Sequence, residues 1–273
     1  MLFDSHTHIN NEGYSPEERE ALAAEIEASD VSFAVDVGFN LESSALAAAH
    51  AGKYPWCYAA VGFHPHCAKD MDEESLALTA ALAKKEKVVA IGEIGLDYYR
   101  NLSGADVQQL WFRRQIRLGL ELGKPIIIHD RDASGDVMRI LKEEGVFARE
   151  RVSAFPAHPA DGGPDARLLM HCFSSDRELA RQYVKLGATI SIAGPVTYRN
   201  NRKTVGVVEE IGIGRLLIET DAPYLTPEPF RGRPNSSPLV RHTAEKIAQI
   251  KGMGFEDVAR ATCINAKRFF GIE

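Results

Sequence analysis

Residues 125–129 read Pro-Ile-Ile-Ile-His: three β-branched side chains entered through a proline and closed by a histidine. Nothing in that run alternates, so it predicts a strand without a solvated face, the condition of a parallel sheet covered on both sides. Comparable runs on either side predict eight strands: Leu2–Ser5, Phe33–Val37, Cys57–Gly62, Val88–Gly92, Ile126–His129, Leu168–His171, Thr189–Ala193 and Leu216–Thr220. Longer segments with helix punctuation lie between them. Ser15-Pro16-Glu17-Glu18 combines an N-cap, a first-turn proline and a capping-box glutamate, and Ser175 with Glu178 repeats the spacing. Gly123 with Pro125 stops the segment Ala105–Leu122, and Gly187 stops Asp176–Leu186.

Strand–helix alternation with short joins makes right-handed βαβ units, and eight of them close into one α/β domain, a (β/α)8 barrel over residues 1–273. A doubly wound open sheet would have fewer strands and a glycine-rich phosphate turn after the first, and no such turn follows Leu2–Ser5. One stretch breaks the rhythm. Gly145 to Arg167 contains Pro156, Pro159, Gly162-Gly163 and Pro164, which predicts a long loop or inserted lobe before strand six.

With 45% hydrophobic and 26% charged residues in 273, the chain can fill one barrel core. A net charge of −6 disfavours broad adhesion to nucleic acid. It leaves a nuclease open, because screening over about 8 Å lets metal ions and a few local arginines set the field at a bound phosphate. Four cysteines without a CxxC pair suit a reducing compartment. The N-terminus MLFDSHTHIN has no signal-peptide pattern, and no apolar run approaches the roughly 20 residues of a membrane span. A cytoplasmic monomer with no membrane partner is expected.

His6 and His8 follow the first strand, where a period of two sets both imidazoles on one face about 6–7 Å apart. An isolated HxH is weak, and reads equally as a polar surface turn. Glu93, His129, His171 and Asp221, however, each terminate a different predicted strand, and in a barrel those ends meet at one mouth. Individually a strand-end histidine can bond a carbonyl and an aspartate can cap a helix; together, four imidazoles and two carboxylates form a metal-ligand set. Mixed nitrogen and oxygen donors suit Zn²⁺, Mn²⁺, Ni²⁺ or Fe²⁺.

The segments FDSHTH (3–8), VGFHP (61–65), GEIGLDYY (92–99), IIIHDRDA (126–133), MHCFSS (170–175), LLIETDAPYL (216–225) and NAKRFFGI (265–272) resemble the TatD deoxyribonuclease family of the amidohydrolase superfamily over nearly the whole chain. The resemblance implies a metal-dependent phosphodiester hydrolase acting on single-stranded DNA or RNA, 3′ to 5′. It implies two divalent ions, with Mg²⁺ added to the candidates. His6, His8 and Asp221 would hold one, His129 and His171 the other, and Glu93 would bridge them. Two ions about 3.5–4 Å apart can activate a water and neutralise the departing oxygen, with Asp221 as the expected proton acceptor. The Gly145–Arg167 stretch is longer than is usual in the family, and Arg231–Pro238 carries an extra residue.

Around this set, His64 before Pro65 is a candidate catalytic and phosphate-contacting residue, or a histidine packed at a loop base. Arg131 is a candidate phosphate fork, while Arg199, Arg202 and Lys203 read equally as a solvated loop. Asp4 and Glu219 share strand faces with the expected ligands and predict carboxylates that orient imidazoles, or buried polar pairs. Tyr98, Tyr99 and Phe63 are candidate base platforms or packing. His50, His158 and His242 read as surface or cap histidines. The same ligands could also serve hydrolysis of a carbon-centred bond in a cyclic amide, a lactone or a D-aminoacyl-tRNA ester, although related barrels often bridge their ions with a carboxylated lysine and no lysine ends a strand here. A non-catalytic binding scaffold is the third reading, and the complete ligand set argues against it.

Overall fold

The computed structural model describes residues 1–273. Eight strands follow one another in chain order: β1 (Leu2–Thr7), β2 (Val31–Val37), β3 (Cys57–Val61), β4 (Val88–Asp97), β5 (Ile126–Arg131), β6 (Leu168–Met170), β7 (Thr189–Ile192) and β8 (Leu216–Ile218). Each is parallel to the next. No strand ladder joins β8 to β1. That seam is held by the Ser5 hydroxyl donating to the Ile218 carbonyl at 3.0 Å and by a parallel bridge between Thr7 and Ala222, so the sheet is a nearly closed barrel.

The helices are α1 (Pro16–Glu27), α2 (Leu41–Lys53), α3 (Glu73–Ala83), α4 (Ala105–Glu121), α5 (Ser134–Glu143), α6 (Arg149–Val152), α7 (Arg177–Lys185), α8 (Arg202–Glu210), α9 (Val240–Lys251) and α10 (Phe255–Phe270). Local chemistry starts them. The Ser15 hydroxyl accepts the Glu18 N–H at 3.2 Å while the Glu18 carboxylate accepts the Ser15 N–H at 2.7 Å, the reciprocal cap anticipated for α1. At α7 the expected Ser175 cap is replaced by Asp176, whose carboxylate accepts the Leu179 N–H at 2.9 Å, so that helix begins one residue later. No helix is long and apolar enough to cross a membrane.

Two apolar layers result. The larger fills the space between strands and helices; the smaller lies inside the barrel, from Phe3, Val35, Ile127, Leu169 and Leu217 down to Phe269 and Phe270. Phe3 stacks on Phe270 at 5.9 Å between centroids, and α10 thus covers the N-terminal end. With a period of two, Ile127, Leu169 and Leu217 each stand one layer beneath a polar residue, namely His129, His171 and Glu219. The apolar floor fixes these strands against rotation and aims the polar layer at the open mouth.

Strand four departs from expectation. It does not end at Gly92 but runs on to Asp97, because Gly95, Leu96 and Asp97 pair with His129, Asp130 and Arg131. A Cβ at Gly95 would stand 1.9 Å from the His129 carbonyl oxygen, so only glycine permits this approach. Two histidines expected at the surface are buried instead. His50 is 8% exposed and bonds Asp36 at 2.7 Å, and His158 is 1% exposed and bonds Arg268. His158 belongs to the irregular Gly145–Arg167 stretch, which contains α6 as a single turn and is tied to the N-terminal end by Asp161, whose carboxylate receives two N–H groups of Arg215 at 2.7 and 2.8 Å.

Candidate metal centre

The strand ends bring His6, His8, Glu93, His129, His171 and Asp221 into one buried cluster. The seam is what adds Asp221: its N–H donates to the His6 carbonyl at 2.9 Å and the His8 N–H donates to the Ala222 carbonyl at 2.8 Å, so the chain beyond β8 runs beside the end of β1. Glu93 lies within β4 rather than past its end, at the centre of the group.

Its two oxygens divide the set. Oε2 lies 3.5 Å from His6 Nε2 and 3.9 Å from His8 Nε2. On that side Asp221 Oδ1 stands 3.3 Å from His8 Nε2 and 3.9 Å from His6 Nε2. Oε1 lies 2.6 Å from His129 Nδ1, 3.0 Å from His171 Nε2 and 3.7 Å from His64 Nε2. The His6 and His171 rings stack at 3.8 Å between centroids, linking the two halves.

The tautomers are partly set by what the far nitrogens do. His8 Nδ1 donates to the Val37 carbonyl at 2.7 Å and His171 Nδ1 to Glu219 Oε1 at 3.1 Å, which turns Nε2 of each toward the central carboxylates, that of His171 to Glu93 at 3.0 Å and that of His8 to Asp221 at 3.3 Å. His6 Nδ1 is buried without a partner. Burial penalises the charge of Glu93, yet the surrounding imidazoles, His171 foremost, hold its carboxyl well below the ordinary range. Burial pulls His129 down as well, but its bonds to Asp97 and Glu93 prevail and raise it to about 9. His64 is pushed well below its ordinary value by burial. Two imidazole nitrogens, His6 Nε2 and His8 Nε2, face each other at 3.2 Å beside two carboxylates whose ion-pair partners are all histidines. Such a set is satisfied by divalent cations, and its donors fit them.

A family model described as TatD related DNase matches residues 3–271. The chain belongs to the TatD family. It is 46% identical over 272 residues to a metal-dependent hydrolase of Bacillus subtilis, YabD, named as uncharacterized, with all of both chains covered. It is 33% identical to a protein of Cronobacter sakazakii named 3′-5′ ssDNA/RNA exonuclease TatD, covering 98% of this chain and 97% of that one. Among solved structures it is similar to YjjV, a TatD homologue of Escherichia coli, with a TM-score of 0.86 and 26% identity, covering 100% of this chain and 98% of the other. The protein is therefore a metal-dependent hydrolase of the TatD family.

Around the TatD-family cluster, His64 caps a 3-10 turn and brings Nε2 within 3.2 Å of His129 Nδ1, at the edge of the Glu93 Oε1 half. Arg131 is exposed, its guanidinium 4.1 Å over the Tyr99 ring; Tyr98 is engaged with Asp136 at 2.8 Å, and Phe63 is buried. Beside His171 opens a cavity of about 140 Å³ lined by Asp130, Asp132, Ser134, Ser174, Ser175 and Lys203 among others. Of the two carboxylates expected to orient imidazoles, Glu219 does face His171, and it also accepts the Cys172 N–H at 2.6 Å. Asp4 does not. It holds backbone, accepting from the Thr220 N–H at 2.9 Å and the Thr220 hydroxyl at 2.6 Å, and burial raises its carboxyl to about 7. Sequence reasoning missed Asp97 and His66. Asp97 follows what reads as a strand-ending glycine, and His66 follows Pro65, so both look like loop polars; their i, i+4 and i, i+2 spacing from Glu93 and His64 was the usable signal.

Proposed function

We propose that the cluster is a dinuclear centre that hydrolyses phosphodiester bonds in single-stranded DNA or RNA from a 3′ end. His6, His8 and Asp221 would hold one divalent ion, His129 and His171 the other, and Glu93 would touch both; the division of contacts between Glu93 Oε1 and Oε2 is the observation that carries this assignment. Bound there, such ions would supply neutralisation of phosphodiester charge and a lowered pKa for water. The chain itself supplies the rest. The Asp221 carboxylate, whose side chain is 15% exposed, accepts the proton of the attacking water, and His64 contacts the phosphate from the rim.

The nucleic-acid reading draws support from the mouth. Although the chain carries −6, the end of β5, the loops after β4, β5, β7 and β8 and the first residue of α8 present six exposed arginines, Arg100, Arg131, Arg199, Arg202, Arg231 and Arg233, against two exposed acids, Asp132 and Glu228, while the connections after β1, β3 and β6 carry the exposed acids Glu12, Asp70, Asp72 and Asp176. Two of the arginines lie on tyrosine rings, Arg131 on Tyr99 and Arg231 on Tyr198 at 4.3 Å. Guanidinium for phosphate and an adjoining ring for a base suit a flexible polyanion better than a small lactone. The name of the Cronobacter sakazakii relative agrees with this reading.

The test incubates protein loaded with Mg²⁺, Mn²⁺ or Zn²⁺ with 5′-labelled single-stranded DNA, RNA, a lactone panel and D-aminoacyl-tRNA, beside a His6→Ala/His8→Ala double variant. Stepwise shortening of the labelled strands that the double variant lacks is expected. Intact strands alongside rapid lactone or aminoacyl-ester cleavage would overturn the phosphodiester reading.

A further inference from the structure

Each candidate ligand histidine in the Glu93 Oε1 half presents a different ring nitrogen. His171 turns Nε2 toward Glu93 and donates Nδ1–H to Glu219, whereas His129 turns Nδ1 toward Glu93 and its Nε2 lies 3.3 Å from Asp97 Oδ2. Asp97 is fully buried and occupied on every side. The same Oδ2 accepts His66 Nε2–H at 2.9 Å, and Oδ1 accepts the Arg100 N–H at 2.7 Å. Its main chain is gripped by one side chain of α4: the Asp97 N–H donates to Gln108 Oε1 at 2.8 Å and the Asp97 carbonyl accepts Gln108 Nε2–H at 3.1 Å. Gln108, itself 1% exposed, is further tied to the Ser103 carbonyl at 2.7 Å.

We propose that Asp97 is a positioning residue that selects the nitrogen His129 offers to the metal centre, with His66 and Gln108 as the anchors that keep Asp97 in place. An ionised carboxylate has only acceptor oxygens, so the His129 nitrogen facing Asp97 keeps its proton, and Nδ1, turned into the cluster, is the nitrogen that would give up its proton to a metal ion. The geometry makes this specific to one half of the centre. Asp97 touches neither His6, His8 nor Asp221, while His64, His66 and His129 pack over it with centroids 4.2 Å apart for His64 and His66 and 4.3 Å for His64 and His129.

Asp97→Asn is the informative change. With Oδ1 still needed by the Arg100 N–H, the amide must turn its NH₂ toward the two rings; His129 Nε2 then has to accept, and the ring proton moves to Nδ1, the atom facing Glu93. The proposal rests on His129 being a metal ligand, so His129→Ala is run beside it. The probe is Co²⁺, titrated into metal-free protein by equilibrium dialysis with visible absorption recorded, and circular dichroism checks the fold. Wild type is expected to take two ions. His129→Ala should lose one, Asp97→Asn should weaken one ion about 10- to 100-fold and leave the other unchanged, and the half-exposed His66→Leu should weaken that same ion by a smaller factor. Two unaltered ions in His129→Ala would remove the ligand reading and this proposal with it. One ion lost in His129→Ala but both retained, or both weakened equally, in Asp97→Asn and His66→Leu would overturn the positioning role alone.

Discussion

Gly95→Ala tests whether the site depends on the close approach of β4 to β5. The two strands are paired at Gly95 and His129, and an added methyl would stand 1.9 Å from the His129 carbonyl oxygen and 2.8 Å from its carbon. Real Cβ contacts essentially never fall below 3.0 Å, so the His129 peptide has to retreat by about 1.1 Å. The backbone at Gly95, with φ at +154°, also lies where L side chains are strained. Overpacking costs about 1–3 kcal/mol and backbone strain about 1–3 kcal/mol, which together lower the melting temperature by roughly 5–20 °C for a chain of this size. The displacement reaches function because the shifted peptide carries the imidazole that touches Glu93; a misplacement of about 1 Å in a catalytic group costs on the order of 100-fold in rate. Gly252→Ala is the control, since its φ is +64° with nothing within 4 Å of the new methyl, and it should lose only about 1 kcal/mol without touching activity. Melting curves, metal content and turnover of single-stranded DNA are compared for both variants. If Gly95→Ala loses no more stability than Gly252→Ala and keeps full metal content and turnover, the steric argument is wrong.

Asp221→Asn should keep the fold, since the Asp221 contact to the His6 carbonyl is made by its backbone, but lower turnover about 100-fold or more; near-wild-type turnover with normal metal content would exclude it as proton acceptor. Tyr99→Ala and Arg131→Ala should weaken single-stranded DNA binding, Tyr99→Ala by about 1–3 kcal/mol, with only Arg131→Ala reducing the salt dependence; fluorescence anisotropy across a salt series reads both, and identical slopes would count against a phosphate contact by Arg131. His158, lowered to about 4 by burial and then by Arg268, is neutral in the folded protein at mild acidity, whereas the unfolded chain protonates near 6.5. The unfolded state therefore binds the extra proton between those values, and stability present above pH 6.5 is lost as pH falls towards 4; His158→Gln should remove up to about 3 kcal/mol of that loss in denaturant melts at pH 7 and pH 4.5, and an unchanged pH slope would refute it.

The barrel was legible because its strands have no solvated face: Ile126–Ile128 and Leu216–Ile218 could only be covered on both sides, and helix punctuation filled the intervals. The candidate ligands were legible for a related reason, since a polar residue that follows a fully apolar run in a barrel faces the mouth, and His129 and His171 follow such runs directly. What the one-dimensional pattern concealed was the far side of each contact. Gly92 reads as the end of its strand, yet it and Gly95 let β4 pass against β5 and carry the chain on to Asp97. The buried His50 and His158 read as surface residues because Asp36 and Arg268, their partners, lie 14 and 110 residues away.

The same limit explains the asymmetry of the site. His8 takes its orientation from the Val37 carbonyl on the neighbouring β2, which any sequence provides, whereas His129 and His171 rely on Asp97 and Glu219, side chains that a single substitution alters. His6 has no such partner at Nδ1 and is held instead by stacking on His171 at 3.8 Å. The Oε2 half of the centre is thus set mainly by backbone and packing, and the Oε1 half by carboxylates. Substitutions around the barrel should therefore disturb the His129 and His171 half first and, in the proposed dinuclear centre, weaken the ion of that half before the other.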